Sequence, residues 1–192
     1  ARAGVEDARR EARLIAALAT GRSLASLAAA PETNFSASEL ASLDRVAARR
    51  LAREPLSRIA GEREFWGRSF ALSPATLDPR PVTETLVEAA LASIIERRLR
   101  GRPIRILDLG TGTGCILVSL LAELPEATGV GADLSPEAVA TAAANASRHG
   151  VAGRARFIVS DWLAAIPGTF HMIVANPPYI AAMRLLSERL PE

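Results

Sequence analysis

The 192-residue chain is 49% hydrophobic and 23% charged, an ordinary globular composition with enough apolar content for a sizeable core. Its formal net charge of +2 calls for no polyanionic partner, and all 23 of its Lys-plus-Arg cations are arginines, so its basic character needs no nucleic acid to explain it. One cysteine, Cys115, excludes an internal disulfide. With no apolar run of about 18 residues and no signal-type N-terminus, the pattern points to a soluble cytoplasmic protein without a membrane partner.

Residues 1–62 read as a small helical domain. Val5, Leu14, Ile15 and Leu18 share one helical stripe, and Gly21 is a natural stop. Ser23 to Ala30 forms a short second helix ended by Pro31. Ser36 and Glu39 have the spacing of a capping box and open a third helix through about Arg53, with Leu40, Leu43, Val46, Ala47 and Leu51 on its apolar face. Its arginines, interspersed with acids, read as a solvated face. Residues 63–79 read as a β-hairpin linker, because Glu64 to Leu72 alternates around Gly67, followed by the stiff turn Asp78-Pro-Arg-Pro81. Residues 80–192 form the third segment. It starts with a helix from Thr83 to about Arg100. Strands follow at Ile104–Asp108, Thr128–Asp133, Ala155–Ser160 and His171–Ala175, with helices at Ile116–Leu124 and Pro136–His149. This alternation predicts an α/β, Rossmann-like parallel sheet with helices on both faces.

Four motifs sit at strand ends. Gly110-Thr111-Gly112-Thr113-Gly114 follows Asp108 and opens a helix, so the backbone can turn sharply and lie against a ligand, with helix N-terminal amides open to a negative group. A nicotinamide dinucleotide fingerprint asks for a small sixth residue where Cys115 stands. The acid before the glycines points instead to a cofactor with an amino-acid end, such as S-adenosylmethionine. Asp133 ends the second strand, where a carboxylate can accept from both hydroxyls of a ribose; Ser135 is the better helix cap and leaves Asp133 for the ligand. Asp161 and Trp162, after the third strand, can accept from an adenine amino group and pack beside its ring. Asn176-Pro177-Pro178-Tyr179 follows the fourth strand. The Asn176 side-chain oxygen and the Pro177 carbonyl can accept the two hydrogens of a planar amide nitrogen. Proline stiffens that turn, a preset geometry lowers a barrier, and Tyr179 offers a ring for stacking. His149, His171 and Cys115 lack metal-ligand spacing, so no metal is expected, and Cys115 reads as a buried small residue.

Asn-Pro-Pro-Tyr after such a loop is shared by amide methyltransferases and by adenine-amino DNA methyltransferases. The upstream stretches Glu54-Pro-Leu-Ser-Arg-Ile-Ala-Gly61, Glu64-Phe-Trp-Gly67 and Leu77-Asp-Pro-Arg-Pro-Val-Thr-Glu84 closely resemble the release-factor glutamine methyltransferases, the HemK/PrmC family. That resemblance implies a helical N-terminal substrate-recognition domain, a hairpin and a seven-stranded methyltransferase domain. It also implies transfer of a methyl group from S-adenosylmethionine to the side-chain nitrogen of the glutamine in the Gly-Gly-Gln motif of peptide-chain release factors. By resemblance, Gly110 to Gly114, Asp133 and Trp162 hold the cofactor, Asn176 to Tyr179 hold the glutamine, and Arg80 to Glu84 border the cofactor pocket. A monomer that binds no nucleic acid directly is expected.

Val82 and His171 stand where the family more often has acids. Four strands precede Asn176 and the segment from Ala181 reads as a helix, so three strands of the family's sheet are unaccounted for: either the chain is truncated or further residues follow it; the missing initiator Met implies that N-terminal residues are absent too. The enzyme alternative is a nucleic-acid adenine methyltransferase, which would flip a base into the same pocket. It asks for a basic groove, which the mixed charges of the helical domain do not supply. The non-enzyme alternative is an inactive cofactor-binding fragment.

Overall fold

A computed structural model describes residues 8–30, 32 and 34–177. The chain divides into two compact units, with the boundary between Gly61 and Glu62.

The first unit is helical: α1 (Ala8–Thr20), α2 (Leu24–Ala29), α3 (Ala37–Leu51) and α4 (Leu56–Ala60). Local chemistry sets each boundary. Gly21 takes a left-handed φ of 69° and ends α1. Ser23 caps α2 by accepting from the Ser26 amide. At α3 the expected capping box is complete: the Glu39 amide donates to Ser36 Oγ at 3.2 Å and the Ser36 amide donates to Glu39 Oε2 at 2.7 Å. These contacts satisfy amides that the first helical turn leaves without partners. Gly61, at φ 74°, ends α4, a five-residue helix too short to show a period. α1 packs against α3, and Arg50 pairs with Glu11 at 2.7 Å.

The second unit begins with an antiparallel hairpin, β1 (Glu62–Phe65) and β2 (Arg68–Ala71), with Phe65 opposite Arg68. Its two-residue turn puts both Trp66 (φ 53°) and Gly67 (φ 66°) at positive φ, the condition that makes a turn match the twist of the strands it joins. Trp66 tolerates this because it is held: its amide donates to Glu84 Oε1 at 2.8 Å and its indole nitrogen to Glu123 Oε1 at 3.2 Å. A 3-10 turn, Pro81–Thr83, leads into α5 (Glu84–Glu96). Then come β3 (Arg105–Leu109), α6 (Cys115–Glu123), β4 (Thr128–Asp133), α7 (Pro136–Arg148), β5 (Ala155–Val159) and β6 (Met172–Ala175).

The four later strands form one parallel sheet in the order β5-β4-β3-β6. β3 is an inner strand, exposed only at Arg105: Ile106, Leu107 and Asp108 are each 0% exposed. Alternation splits its side chains between two clusters. Ile106 joins the larger one with residues of α5, α6 and α7. Leu107 and Leu109 face the other way, against Ile166 and Phe170. Among the described residues, all three helices therefore serve one face. The expected helix on the second face is absent there because β5 and β6 are joined by turns, with Ile166 and Phe170 as the apolar cover. Two glycines of β4 admit this packing: a Cβ at Gly129 would lie 2.4 Å from Leu117, and one at Gly131 2.6 Å from Phe157 and 2.8 Å from Thr111 Oγ1. Arg154 closes the far end of α6 by donating to the carbonyls of Leu121, Leu124 and Ala127 at 2.6, 3.0 and 2.7 Å, acceptors a helix end otherwise leaves open.

Asn145, 1% exposed on α7, joins three segments. Its Oδ1 accepts from the Ala71 amide at 2.9 Å, and its Nδ2 donates to the carbonyls of Ala71 and Thr113 at 3.1 and 2.9 Å. The hairpin and the loop after β3 thus hang on one buried amide. Asn145→Ala removes the partner of one buried and two partly buried backbone groups and is expected to cost about 3 kcal/mol, seen as a lower urea midpoint with an unchanged slope. Asn145→Asp keeps the acceptor but loses both donors, so it should be at least as damaging; an unaltered midpoint in either variant would contradict this assignment.

Candidate functional site

The order β5-β4-β3-β6 places a topological switch point between β3 and β6. The chain steps from β3 to β4 to β5 in one direction and then returns to the opposite side of β3. In parallel sheets, ligands bind outside the carboxyl ends of the strands at such a point, because the loops on either side diverge and leave a crevice. The four sequence motifs follow the ends of β3, β4, β5 and β6, so all four reach this edge. The loops after β3 and β6 touch: a Cβ on Gly110 would lie 3.9 Å from the Pro177 Cα.

Gly110, Gly112 and Gly114 all take positive φ, at 70°, 53° and 77°, which explains their alternation. Gly114 has a second constraint, since a Cβ there would meet Ala142 of α7 at 3.0 Å. The loop's amides point inward. Those of Gly110 and Thr111 both donate to the Ala132 carbonyl at 2.9 Å, Gly114 donates to the Thr111 carbonyl at 2.7 Å, and Gly112 donates to Asp133 Oδ2 at 2.9 Å. These four amides of the loop before α6 are therefore paired within the fold, and any amides open to an anion belong to the first turn of α6 itself. The loop is a close-fitting surface made by the missing Cβ atoms rather than a phosphate nest.

Asp133 is likewise more engaged than expected. Ser135 does cap α7, accepting from the Ala138 amide at 3.2 Å, yet Asp133 still accepts from the Ser135 amide at 3.0 Å through Oδ1 and from Gly112 through Oδ2. Each carboxylate oxygen can accept more than one hydrogen bond, so the two backbone donors fix the carboxylate without exhausting it. After β5, the Ser160 hydroxyl donates to the Trp162 carbonyl at 2.9 Å and accepts from the Ala165 amide at 3.1 Å. This turn holds Trp162 at a left-handed φ of 48° with the residue 60% exposed; Asp161 beside it is exposed too. At the end of β6, Asn176 is partly buried and its Nδ2 donates to Thr83 Oγ1 at 3.0 Å. Pro178 and Tyr179 lie outside the described residues.

Beneath the loop sits Asp108, fully buried. Thr111 Oγ1 donates to its Oδ2 at 2.7 Å, and the Leu117 backbone also hydrogen-bonds the carboxyl. Burial pushes its carboxyl up to about 6, against the lowering effect of the Thr111 hydroxyl and with a small further push from the charge of Asp133. Asp108 is thus a charge under the cradle, not an exposed ligand. Burial likewise pushes the Cys115 thiol up to about 12, so it stays protonated and inert. Among the described residues no cluster of His, Cys, Asp and Glu could hold a metal, and no helix is long and apolar enough to cross a membrane. A depression at the opposite edge of the sheet is lined by Arg105, Thr128, Arg154, Arg156 and Phe170 among others; Arg154 is occupied with the α6 carbonyls and Arg105 lies over the Phe170 ring at 4.8 Å.

The carboxyl of Asp108 yields a prediction with a definite sign. Between its ordinary value of 3.8 and about 6, the folded protein holds a proton that the unfolded chain has released, so raising the pH through this window lowers stability. The loss is about 2 kcal/mol between roughly pH 4.5 and pH 7. Asp108→Asn should remove it. Comparing the two proteins' urea midpoints isolates this group from Glu39, Glu54 and Glu62, whose hydrogen bonds hold their carboxyls down; parallel pH profiles would refute the assignment.

Comparison with known proteins agrees with this geometry. Residues 86–188 match the methyltransferase small domain family, and residues 1–61 match the PrmC N-terminal domain. The release factor glutamine methyltransferase of Rhodospirillum rubrum is 52% identical over 178 residues, covering 93% of this chain and 53% of that protein. Its namesake from Cereibacter sphaeroides is 47% identical over 182 residues, covering 95% and 63%, and that from Escherichia coli is 43% identical over 176 residues, covering 91% and 61%. The chain therefore spans between about half and two thirds of the length of these curated relatives. A crystal structure of a SAM-dependent methyltransferase from Agrobacterium tumefaciens shares the fold, with a TM-score of 0.50 and 20% identity over 61% of this chain and 39% of that one.

Proposed function

The chain belongs to the methyltransferase small domain family, and we propose that it transfers a methyl group from S-adenosylmethionine to the side-chain amide nitrogen of the Gly-Gly-Gln glutamine in peptide-chain release factors. The observation that carries this is the seating of Asn176-Pro177 against the Gly110 loop at the switch point. The 47–52% identity to the Rhodospirillum and Cereibacter release factor glutamine methyltransferases and the PrmC N-terminal domain match support the substrate.

The donor set fits that cofactor. Four amides of the glycine loop are already paired within the fold, which suits a ligand that presents no phosphate. The buried Asp108 carboxylate supplies negative potential under the loop for a cationic amino-acid end. Asp133 retains lone pairs for ribose hydroxyls, and the exposed Asp161 and Trp162 stand ready for an adenine amino group and ring. When bound, S-adenosylmethionine supplies an electrophilic methyl group on a sulfonium, a chemistry that needs no metal.

The protein's own part is positional. An amide nitrogen is a poor nucleophile because its lone pair is delocalised into the carbonyl. Asn176 Oδ1 and the Pro177 carbonyl accept its two hydrogens, which points the remaining lobe at the methyl carbon. Holding reacting groups in line supplies much of a transfer reaction's advantage. No base in the described site is placed to take the proton, which leaves to solvent after transfer. Tyr179 would stack on the planar group.

Mass spectrometry of a release factor incubated with the intact protein and S-adenosylmethionine should show one added methyl on the Gly-Gly-Gln peptide; no mass gain would overturn the proposal. Asn176→Ala should lower turnover about a hundredfold while calorimetry shows cofactor affinity within a few-fold of wild type. Normal turnover in that variant would remove Asn176 from its role.

A further inference from the structure

We propose that Thr83 is a positioning residue, whose hydroxyl anchors the Asn176 side chain in place for the substrate and meets its NH2 group when Oδ1 is turned to the substrate; this rests on the function proposed above. An asparagine side chain is close to symmetrical in shape but opposite in polarity at its two ends, one an acceptor and the other a double donor. A substrate amide nitrogen brings two hydrogens and no acceptor. Only Oδ1 of Asn176 can serve it; a flipped side chain would set donor against donor. With Oδ1 turned to the substrate, the Asn176 NH2 must find an acceptor elsewhere, because a polar group left unpaired in a partly buried site is costly.

Thr83 supplies that acceptor. Its Oγ1 receives the Asn176 Nδ2 hydrogen at 3.0 Å across 93 residues of sequence. The hydroxyl is well fixed. Thr83 is 7% exposed and sits where the 3-10 turn Pro81–Thr83 joins α5. Its own amide donates to the Arg80 carbonyl at 2.9 Å. The next residue, Glu84, accepts from the Trp66 amide in the hairpin turn. The orientation of Asn176 is thereby referred to the rigid hairpin and α5, and not only to the loop that carries it.

Thr83→Val keeps the shape and deletes the hydroxyl. Its kcat for release-factor methylation should fall about tenfold, the effect of one orienting hydrogen bond, with cofactor affinity within twofold of wild type. Thr83→Ser restores an oxygen at the same place and should recover most of the loss. In an Asn176→Ala background, Thr83→Val should cost nothing further, since the amide it orients is gone. If Thr83→Val does not fold, Thr83→Ala and Thr83→Ser make the same comparison. Wild-type kcat in Thr83→Val, equal loss in the Val and Ser variants, or a full additional loss in the double variant would each overturn the proposal. A wild-type protein that leaves the release factor unmethylated would instead overturn the underlying function, so the two failures are distinct.

Discussion

The buried amide of Asn145 is the contact on which the arrangement of the second unit depends. An isolated two-stranded hairpin is marginal in water, and β1 and β2 are only four residues each. The hairpin is held by what its edge touches, and the Asn145 amide pairs with both the donor and the acceptor of Ala71. The remaining Nδ2 hydrogen goes to Thr113 in the glycine loop. α7 is therefore fixed at once to the hairpin and to the cradle. His149, one turn further on, reinforces the link through the Ser69 carbonyl at 2.8 Å and a ring contact with Phe70 at 4.8 Å. The hairpin behaves as a brace for the site, clustering with the second unit.

A second set of contacts reaches the other half of the site from the same hairpin. Trp66 is at positive φ because Glu84 holds its amide, Glu84 opens α5, and Thr83 just before it holds Asn176. The loop after β3 and the loop after β6 are each tied to the hairpin through polar side chains, the first by Asn145 and the second by Thr83 and Glu84. Such groups contribute specificity of arrangement: each has few ways to be satisfied, and misplacement leaves a partner unpaired in the interior.

The large features were legible from sequence because they rest on local patterns. The strands β3 to β6 follow from apolar runs bounded by glycines, the alternation of glycines at 110, 112 and 114 follows from their positive φ, and the Ser36–Glu39 box follows from its spacing. What sequence did not show is non-local or too short. Asn145 meets Ala71 across 74 residues and Asn176 meets Thr83 across 93; neither leaves a period or a motif. α4 has five residues. Asp133 was expected to be free once Ser135 capped the helix, but a carboxylate has enough lone pairs to hold two backbone amides and still face a ligand. The inward turn of the loop amides was likewise invisible, since glycine spacing reports backbone freedom and not where the freed N–H groups point.

That inward turn bears on why one sheet architecture can serve different cofactors. A loop that leaves its amides free attracts phosphate. Here the amides of Gly110 and Thr111 share the Ala132 carbonyl of β4, and that of Gly112 goes to Asp133 at the strand's end. The loop is therefore locked to the neighbouring strand. A buried carboxylate, Asp108, lies below it. The buried Asp108 and the partly buried Asp133 thus put two acidic groups at the loop. At the facing end of β6, Asn176 Nδ2 donates to Thr83 Oγ1. Acidic groups on one side and a tethered amide on the other are what the function proposed above asks of this edge of the sheet.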